Sequence, residues 1–575
     1  MSKKKFAVLL RRSDKEIDMQ TTATGATGAL KQVFLTVALL VLISQTNGTL
    51  TCFGAAAGVS ITGKIVDRSG GGVNGCTVEL AGTTLLTLSN TAGEFSLTGA
   101  WPVAPSEFLK DKIHLNINCP GRPLRTLILP STQQSLGEIK IFSQPNFVII
   151  FTDDQGYADL GTFGSGTAPD DGNWLAKDQI AIPTPRIDKM AEEGLKFTSF
   201  YAQTYCGPSR AQLMTGSYAA RVARKNNTKG NRFNGLFNGS GGIDVDPSEI
   251  TIAEVLKAAG YATGMVGKWH LGIDRGCKPV NQGFDYWWGA RFSNDPGWFP
   301  LYENETSLGK YDDMAHVTRD YTLKALEWMK KHKDKPFFMW IAHTMPHKKI
   351  DASEKFKGTT KRGLYGDVIN ELDFYTGMVL DSIRDWGLDD NTIVIFLSDN
   401  GHWGGAENAG TGYPLHGGKL SQYEGGFRVP CVVRAPGIIP PGSVNAEMAT
   451  SMDLMPTFVK LAGGTMPDDR IIDGKDIEDL IRMKPGAVSP HEVHYFYKTT
   501  TLRAVRWGKW KLHIAYNNEK IGPAELYDLE ADIGESQNVA GANSSVVDKI
   551  MEFANAGVAD IGDFYNVGSG ERRVP

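Results

Sequence analysis

Six short segments of the chain have residue types and spacing that could do chemistry. Asp153-Asp154 closes a continuous apolar run, Asn146 to Thr152, and Asp399-Asn400 closes a second, Thr392 to Ser398. Three carboxylates and an amide oxygen, with no imidazole or thiolate among them, are hard ligands that suit calcium or magnesium better than zinc. Cys206-Gly207-Pro208-Ser209-Arg210 sets a cysteine four residues before an arginine. Lys268 and His270, two apart after the strand Ala262 to Val266, can both reach one anion when the backbone is extended. Thr344-Met345-Pro346-His347 follows the run Pro336 to Ala342 and offers an imidazole, for which His343 competes. Lys419 lies in Leu415-His416-Gly417-Gly418-Lys419, ahead of Tyr423-Glu424-Gly425-Gly426-Phe427-Arg428-Val429-Pro430; its ammonium is a compact donor on a long stem, suited to an anion. Glu424 and Arg428 read as a structural pair. A hard cation beside lysines fits a tetrahedral anionic ester, and sulfate and phosphate suit it alike.

The rest of the chain must position these groups. With 575 residues, 41% of them hydrophobic and 22% charged, a net charge of -4 and a pI near 6.3, nothing in its composition marks the whole chain as disordered, membrane-embedded or nucleic-acid-binding. Basic character must therefore be local to the site. The six cysteines are too sparse for a disulfide scaffold and form no C-x-x-C pair. Cys76 and Cys119 are expected to pair, and only Cys206 has chemically suggestive neighbours.

Residues 1–57 read as an export region: Lys3, Lys4, Lys5, Arg11 and Arg12, then Lys31, precede the apolar run Val33 to Ile43. That run has the length of a secretory segment and is short for a membrane span. Cleavage is expected between Ser44 and Ala57, with a retained anchor as the alternative and Met19 as a second candidate start. The protein is then secreted or periplasmic. Residues 58–143 carry short strands broken by glycine, as in a β-sandwich. Gly63-Lys64-Ile65-Val66-Asp67 and Thr91-Ala92-Gly93-Glu94-Phe95-Ser96-Leu97 resemble recurring strands of the carboxypeptidase regulatory-like domain. From residue 144 to 464, apolar strands alternate with helices at Ile252 to Ala259, Val317 to Lys331 and Val368 to Trp386, which implies a mostly parallel sheet covered on both faces. Ligands in such sheets collect at the carboxyl ends of the strands, where all six segments fall. Residues 465–575 shift to short aromatic strands, a small antiparallel sheet with a closing helix near Val546 to Ala554. Asn226 to Gly242 reads as a surface loop.

Over roughly Pro145 to Pro456 the chain resembles the type I sulfatases. Their C-x-P-S-R, followed by a small residue and L-x-T-G, stands here at Cys206 to Gly216; D-D-x-G stands at Asp153, D-N-G at Asp399, and G-K-W-H-L-G at Gly267 to Gly272. G-K-x-x-x-Y-E-G-G-x-R-V-P stands at Gly418 to Pro430, and Leu526-Tyr527-Asp528-Leu529 extends the likeness weakly. The P-H-x-P-like segment has Lys349 where its second proline is usual, which leaves that loop's shape open. The resemblance implies an alkaline-phosphatase-like α/β fold and a maturation enzyme that oxidises Cys206 to formylglycine. A thiolate attacking sulfate would end as a stable adduct, whereas a hydrated aldehyde has one hydroxyl to attack and a second to expel sulfate. It further implies Ca²⁺, or alternatively Mg²⁺, on Asp153, Asp154, Asp399, Asn400 and the residue made from Cys206. Arg210 would fix the formylglycine, Lys268 and Lys419 would contact sulfate, His270 would bond a formylglycine hydroxyl, and His347 would meet the leaving group.

The reading is a sulfatase acting on sulfated carbohydrates, with a phosphate or phosphonate ester hydrolase of the same superfamily, or a catalytically dead carbohydrate-binding protein, as alternatives. Intact Cys206, Arg210, Lys268 and His270 speak against the last. Trp287, Trp288, Ser293 and Trp298 are candidates for a sugar subsite.

Overall fold

Buried side chains of strand β1 (Asn146–Thr152) divide between two cores: Phe147, Ile149 and Phe151 enter one, Val148 and Ile150 the other. Both faces are covered, so the run has no solvent-facing position to fill with polar residues. In the computed structural model the described residues are 43–46, 49–52, 58–66, 72–80, 86–100, 112–119, 125–130, 135–140, 144–170, 175–222, 245–272, 275–404, 410–517 and 520–572. Residues 33–42 of the export run and the loop Asn226 to Gly242 lie outside them. Among the described residues no helix is long and apolar enough to cross a membrane.

Strand β1 is central to a sheet that also contains β2 (Leu195–Phe197), β3 (Ala262–Gly267), β4 (Tyr286–Ala290), β5 (Phe299–Glu303), β6 (Thr306–Tyr311), β7 (Phe337–Ala342), β8 (Thr392–Ser398), β9 (Cys431–Arg434) and β10 (Ser443–Asn445). Their order is β6-β5-β4-β3-β7-β1-β8-β9-β2-β10. The five strands from β4 to β8 in that order are parallel, with β5 and β6 antiparallel at one edge and β9 antiparallel to β8 near the other. Helices α1 (Pro185–Glu192), α4 (Val317–His332) and α5 (Gly363–Asp385) cover one face, through side chains such as Ile187, Tyr321, Ala325 and Leu372. The other face is covered by α2 (Cys206–Thr215), α3 (Ile252–Ala258) and α6 (Leu454–Leu461), through Leu213, Leu256 and Phe458. Pro185 opens α1, where a missing N–H costs nothing. Thr251 caps α3 reciprocally with Glu254. This is the α/β architecture expected, with helices on both faces of a mostly parallel sheet.

Before it, the described strands between 58 and 140 form a three-stranded and a four-stranded sheet, and Cys76 is disulfide-bonded to Cys119. Ile61, Ile65, Val78, Phe95, Leu97 and Ile117 are buried there. After it, β11 (Val493–Lys498), β12 (Thr501–Trp507), β13 (Trp510–Asn517) and β14 (Lys520–Asp528) form the small antiparallel sheet, closed by α7 (Ser544–Ile561).

One placement corrects the sequence reading and another extends it. Trp287 and Trp288 are core residues of β4, 0% and 6% exposed, and cannot line a sugar subsite. Adjacent tryptophans on a strand point to opposite faces, and here both faces are buried. The pair Glu424 and Arg428, 3.3 Å apart, belongs to a larger buried cluster. Lys511 on β13 lies 3.0 Å from Glu424 and 2.9 Å from Glu535, all three without exposure, and Tyr201 donates its hydroxyl to Glu424 at 2.6 Å. Burial alone would raise Glu424, but Lys511 and the arginines outweigh it and hold the carboxyl at about 2. Lysine is thus the electrostatic bolt between the C-terminal sheet and the segment leading from Lys419. Lys511→Met, which removes the cation shared by two buried carboxylates, should destabilise the protein by about 3–5 kcal/mol; an unchanged melting temperature in calorimetry would contradict this.

Candidate active site

The strand ends supply the site because the backbone there is pinned. Gly267 has a φ of 108°, and a Cβ on it would meet the Ala342 carbonyl at 1.9 Å. Only glycine fits. The next residue, Lys268, donates its N–H to that carbonyl at 2.8 Å. A Cβ on Gly401 would similarly lie 1.7 Å from the Gly425 carbonyl, so the D-N-G turn and the Y-E-G-G segment pack backbone to backbone. Lys419 donates its N–H to His402 and Leu420 to Thr204, which ties this lysine to both the Asp399 loop and the approach to α2. Ser398 joins the two acidic strand ends, accepting from Gln155 N–H and donating to the Asn400 carbonyl.

Cys206 is the first residue of α2, buried, with its thiol at the positive end of the helix. Its Sγ lies 3.2 Å from Asp153 Oδ1 and 3.4 Å from Lys419 Nζ. Lys268 contacts Asp153 Oδ2, and Lys419 reaches Asp154 Oδ1 at 2.5 Å. Arg210, one turn along α2, puts Nη2 3.2 Å from both Asp153 Oδ2 and Asp399 Oδ2 and donates through Nη1 to the Lys268 carbonyl. Burial and Asp153 push the thiol up, yet Lys268 and Lys419 win and bring it below its ordinary value. The same burial raises Asp399 well above the carboxylate range, helped by Asp153, while Asp153 itself, burial notwithstanding, is drawn well below it by Lys268, His347 and Arg210.

Of the two histidines in competition, the structure favours His347. Its Nε2 lies 3.6 Å from Asp154 Oδ2, and ligand atoms of Asp153, Asp154, Cys206 and His347 all fall within 4.8 Å of one another. His347 Nδ1 is 2.7 Å from the Lys348 carbonyl; since a carbonyl only accepts, Nδ1 carries a proton and Nε2 is the titrating nitrogen. Burial lowers this imidazole, but Asp154 and Asp153 raise it to about 9. His343 is driven to about 3 by burial, which keeps it neutral. His270, buried two residues beyond Lys268 with a φ of 61°, bonds the Arg291 carbonyl through its backbone N–H. Thus Cys206, Arg210, Lys268, His347, Lys419, Asp153, Asp154, Asp399 and Asn400 are linked by direct contacts.

The residues fit a hard cation. Asn400 donates its amide N–H to Asp154 Oδ1 at 2.8 Å; Asn400 Oδ1 and Asp154 Oδ2 are buried without a hydrogen-bond partner. Two orphaned acceptors beside Asp153 and Asp399 form an oxygen donor set that a cation would satisfy.

Sequence reading missed Asn294 and Trp403. Asn294 is fully buried and its amide donates to the His347 carbonyl at 3.3 Å and the Lys349 carbonyl at 3.0 Å, which sets the loop that carries His347. Trp403, 37% exposed, has Lys419 Nζ 5.4 Å from its ring centre. Its position three residues after Asn400 was the only available signal.

A parallel sheet whose strand ends converge on a buried nucleophile, two lysines and a hard-ligand set defines a hydrolase of the alkaline-phosphatase-like fold. Residues 145–464 match the sulfatase family model and residues 418–554 that of the N-sulphoglucosamine sulphohydrolase C-terminal region. An arylsulfatase of Hemicentrotus pulcherrimus is 35% identical over 71% of this chain and 73% of its own length; an N-acetylgalactosamine-6-sulfatase of Canis lupus familiaris is 32% identical over 73% and 80%. The solved structure of Ps i-CgsB in complex with k-i-k-neocarrahexaose superposes with a TM-score of 0.61 at 27% identity, over 72% of this chain and 92% of that one. The chain belongs to the sulfatase family, and its reaction is the hydrolysis of sulfate esters. The family implies a formylglycine and a divalent metal.

Chelation should therefore abolish turnover and lower the melting temperature, since an ion that binds only the folded chain then no longer stabilises it. Metal-free protein with unchanged rate and melting temperature would contradict the assignment.

Proposed function

We propose that the protein is an exported sulfatase of sulfated carbohydrates that uses a formylglycine made from Cys206 by a maturation enzyme and one Ca²⁺ ion. The observation that carries it is the convergence of Cys206 Sγ, Asp153, Asp154 and the His347 imidazole within 4.8 Å. Calcium is favoured over magnesium because three carboxylates and an amide oxygen make an all-protein cage, whereas magnesium usually keeps several waters. Relatives named for a sulfated amino sugar and a neighbour solved with an oligosaccharide support the carbohydrate leaving group. The basic N-terminus followed by Val33 to Ile43 supports export.

Bound at Asp153, Asp154, Asp399 and Asn400, the cation supplies positive charge to a sulfate oxygen, and the formylglycine at position 206 supplies a hydroxyl nucleophile with a second hydroxyl to release the product. Lys268 and Lys419 hold the sulfate and take up charge that develops on it. Arg210 keeps both acidic strand ends in register, and His270 bonds a hydroxyl of residue 206. His347, with Nδ1 fixed on the Lys348 carbonyl, gives its Nε2 proton to the departing sugar oxygen. Its elevated pKa keeps that proton in place at neutral pH, and a cation held by Asp153 and Asp154 would reduce the elevation.

A panel of sugar sulfates, aryl sulfates and phosphate monoesters tests this. A sugar alkoxide leaves poorly without a proton, whereas a nitrophenolate leaves largely unaided. His347→Ala should therefore slow desulfation of a sugar sulfate by about 10²–10⁴-fold while sparing an activated aryl sulfate, and Lys268→Ala should slow both. Equal loss on both ester types in His347→Ala would make His347 a sulfate ligand. Preference of the wild type for phosphate esters would overturn the substrate assignment.

A further inference from the structure

Two loops next to the site carry exposed side chains that the chemistry at Cys206 does not use. On one side Asn294 stitches residues 293–295 to the His347 loop through its two carbonyl contacts. Asp295 follows directly, about half exposed, with Ser293 donating its hydroxyl to it. Burial pushes the Asp295 carboxyl up, but Ser293 and the charges of His347, Lys268 and Lys348 bring it below its ordinary value, so it shares the field of the catalytic groups. On the other side stands Trp403, with its indole within 5.4 Å of the same Lys419 ammonium that touches Cys206 and Asp154. Lys348 spans the gap. Its Nζ lies 4.7 Å from the Trp403 ring centre and 3.9 Å from Asp295 Oδ1, too far for a hydrogen bond, and its side chain is 57% exposed.

These three side chains differ from the lysines deeper in the site. Lys268 and Lys419 are committed to Asp153 and Asp154, whereas Lys348 has only the loose, half-exposed pairing with Asp295 at 3.9 Å and lies over the exposed aromatic face of Trp403. A flat apolar surface beside a partly compensated cation is the chemistry that recognises a sugar ring carrying an anionic substituent. Trp298, the other exposed tryptophan in this part of the chain, also has a lysine against it, Lys310 at 5.7 Å, but that lysine is paired with Asp312 at 2.8 Å.

We propose that Trp403 and Lys348 form a leaving-group subsite for a sugar that bears a second anionic group, a carboxylate or another sulfate, besides the ester being cleaved. The inference rests on the carbohydrate reading above. Trp403 would lie under the ring next to the sulfate, and Lys348 would swing from its seat over the indole to the second anion, with Asp295 left to accept from a ring hydroxyl.

Steady-state kinetics of the matured enzyme test it with two probes, a monosulfated hexose and the same sulfated hexose linked to a uronic acid. Trp403→Ala should raise KM for both about tenfold with a smaller change in kcat, and Trp403→Phe should recover most of the loss. Lys348→Ala should raise KM about two- to fivefold more for the uronic-acid probe than for the monosulfated one, a difference that shrinks as salt is added and is restored by Lys348→Arg. Lys310→Ala serves as the control lysine and should alter neither. Equal effects of Lys348→Ala on the two probes overturn the second-anion assignment, and an unchanged KM in Trp403→Ala overturns the subsite. If the wild type turns over aryl sulfates but neither sugar, the carbohydrate reading fails and this inference with it; flat variants in an enzyme active on sugars refute this inference alone.

Discussion

Arg210 divides one guanidinium between Asp153 and Asp399, each at 3.2 Å and all three without exposure, and most of the catalytic half of the molecule can be understood as a consequence of that contact. Charges taken out of water cost several kcal/mol each unless geometry and hydrogen bonds compensate. Here Arg210, Lys268 and Lys419 face Asp153, Asp154 and Asp399, so the side chains balance formally. They do not balance locally: Asp399 is driven up beside Asp153, and Asn400 Oδ1 and Asp154 Oδ2 lack partners. A divalent cation placed among those oxygens relieves both conditions at once. Its charge also helps admit an anionic ester into a buried site.

Holding such a cluster requires a rigid frame. The parallel strands β3, β7, β1 and β8 end side by side, and Lys268, Asp153 and Asp399 directly follow three of them while His347 lies in the loop after β7. Glycines at 267 and 401 allow neighbouring backbones to approach more closely than any side chain permits. The C-terminal sheet contributes at a distance. Its Lys511 anchors Glu424, and through the Glu424 to Phe427 turn it steadies the segment in which Gly401 and Lys419 are fixed. Stability and catalysis therefore share one chain of contacts, from β13 to the nucleophile.

Much of this was legible from residue order. A strand buried on both faces must be apolar throughout, so Asn146 to Thr152 and Thr392 to Ser398 announced themselves, and the polar pairs that ended them had to lie at the sheet's edge. Residue type alone left His343 and His347 in competition and the resemblance pointed to His347; three-dimensional placement separates them, an isolated buried imidazole from one facing two carboxylates. Trp287 and Trp288 misled for a related reason: composition marks tryptophan as a sugar platform or as core without distinction, and burial on β4 decides for core. Lys511, Asn294 and Trp403 act on partners 87, 53 and 16 residues away, separations over which no local pattern carries information.

The crystal structure of the matured protein, with anomalous differences collected for the metal, bears on the buried cluster most directly. The expected density shows oxygen rather than sulfur on the Cβ of residue 206, and one cation bonded to oxygens of Asp153, Asp154, Asp399 and Asn400. An unmodified thiol in fully active crystals, or these four residues closed upon one another with the cation bound elsewhere, would contradict it.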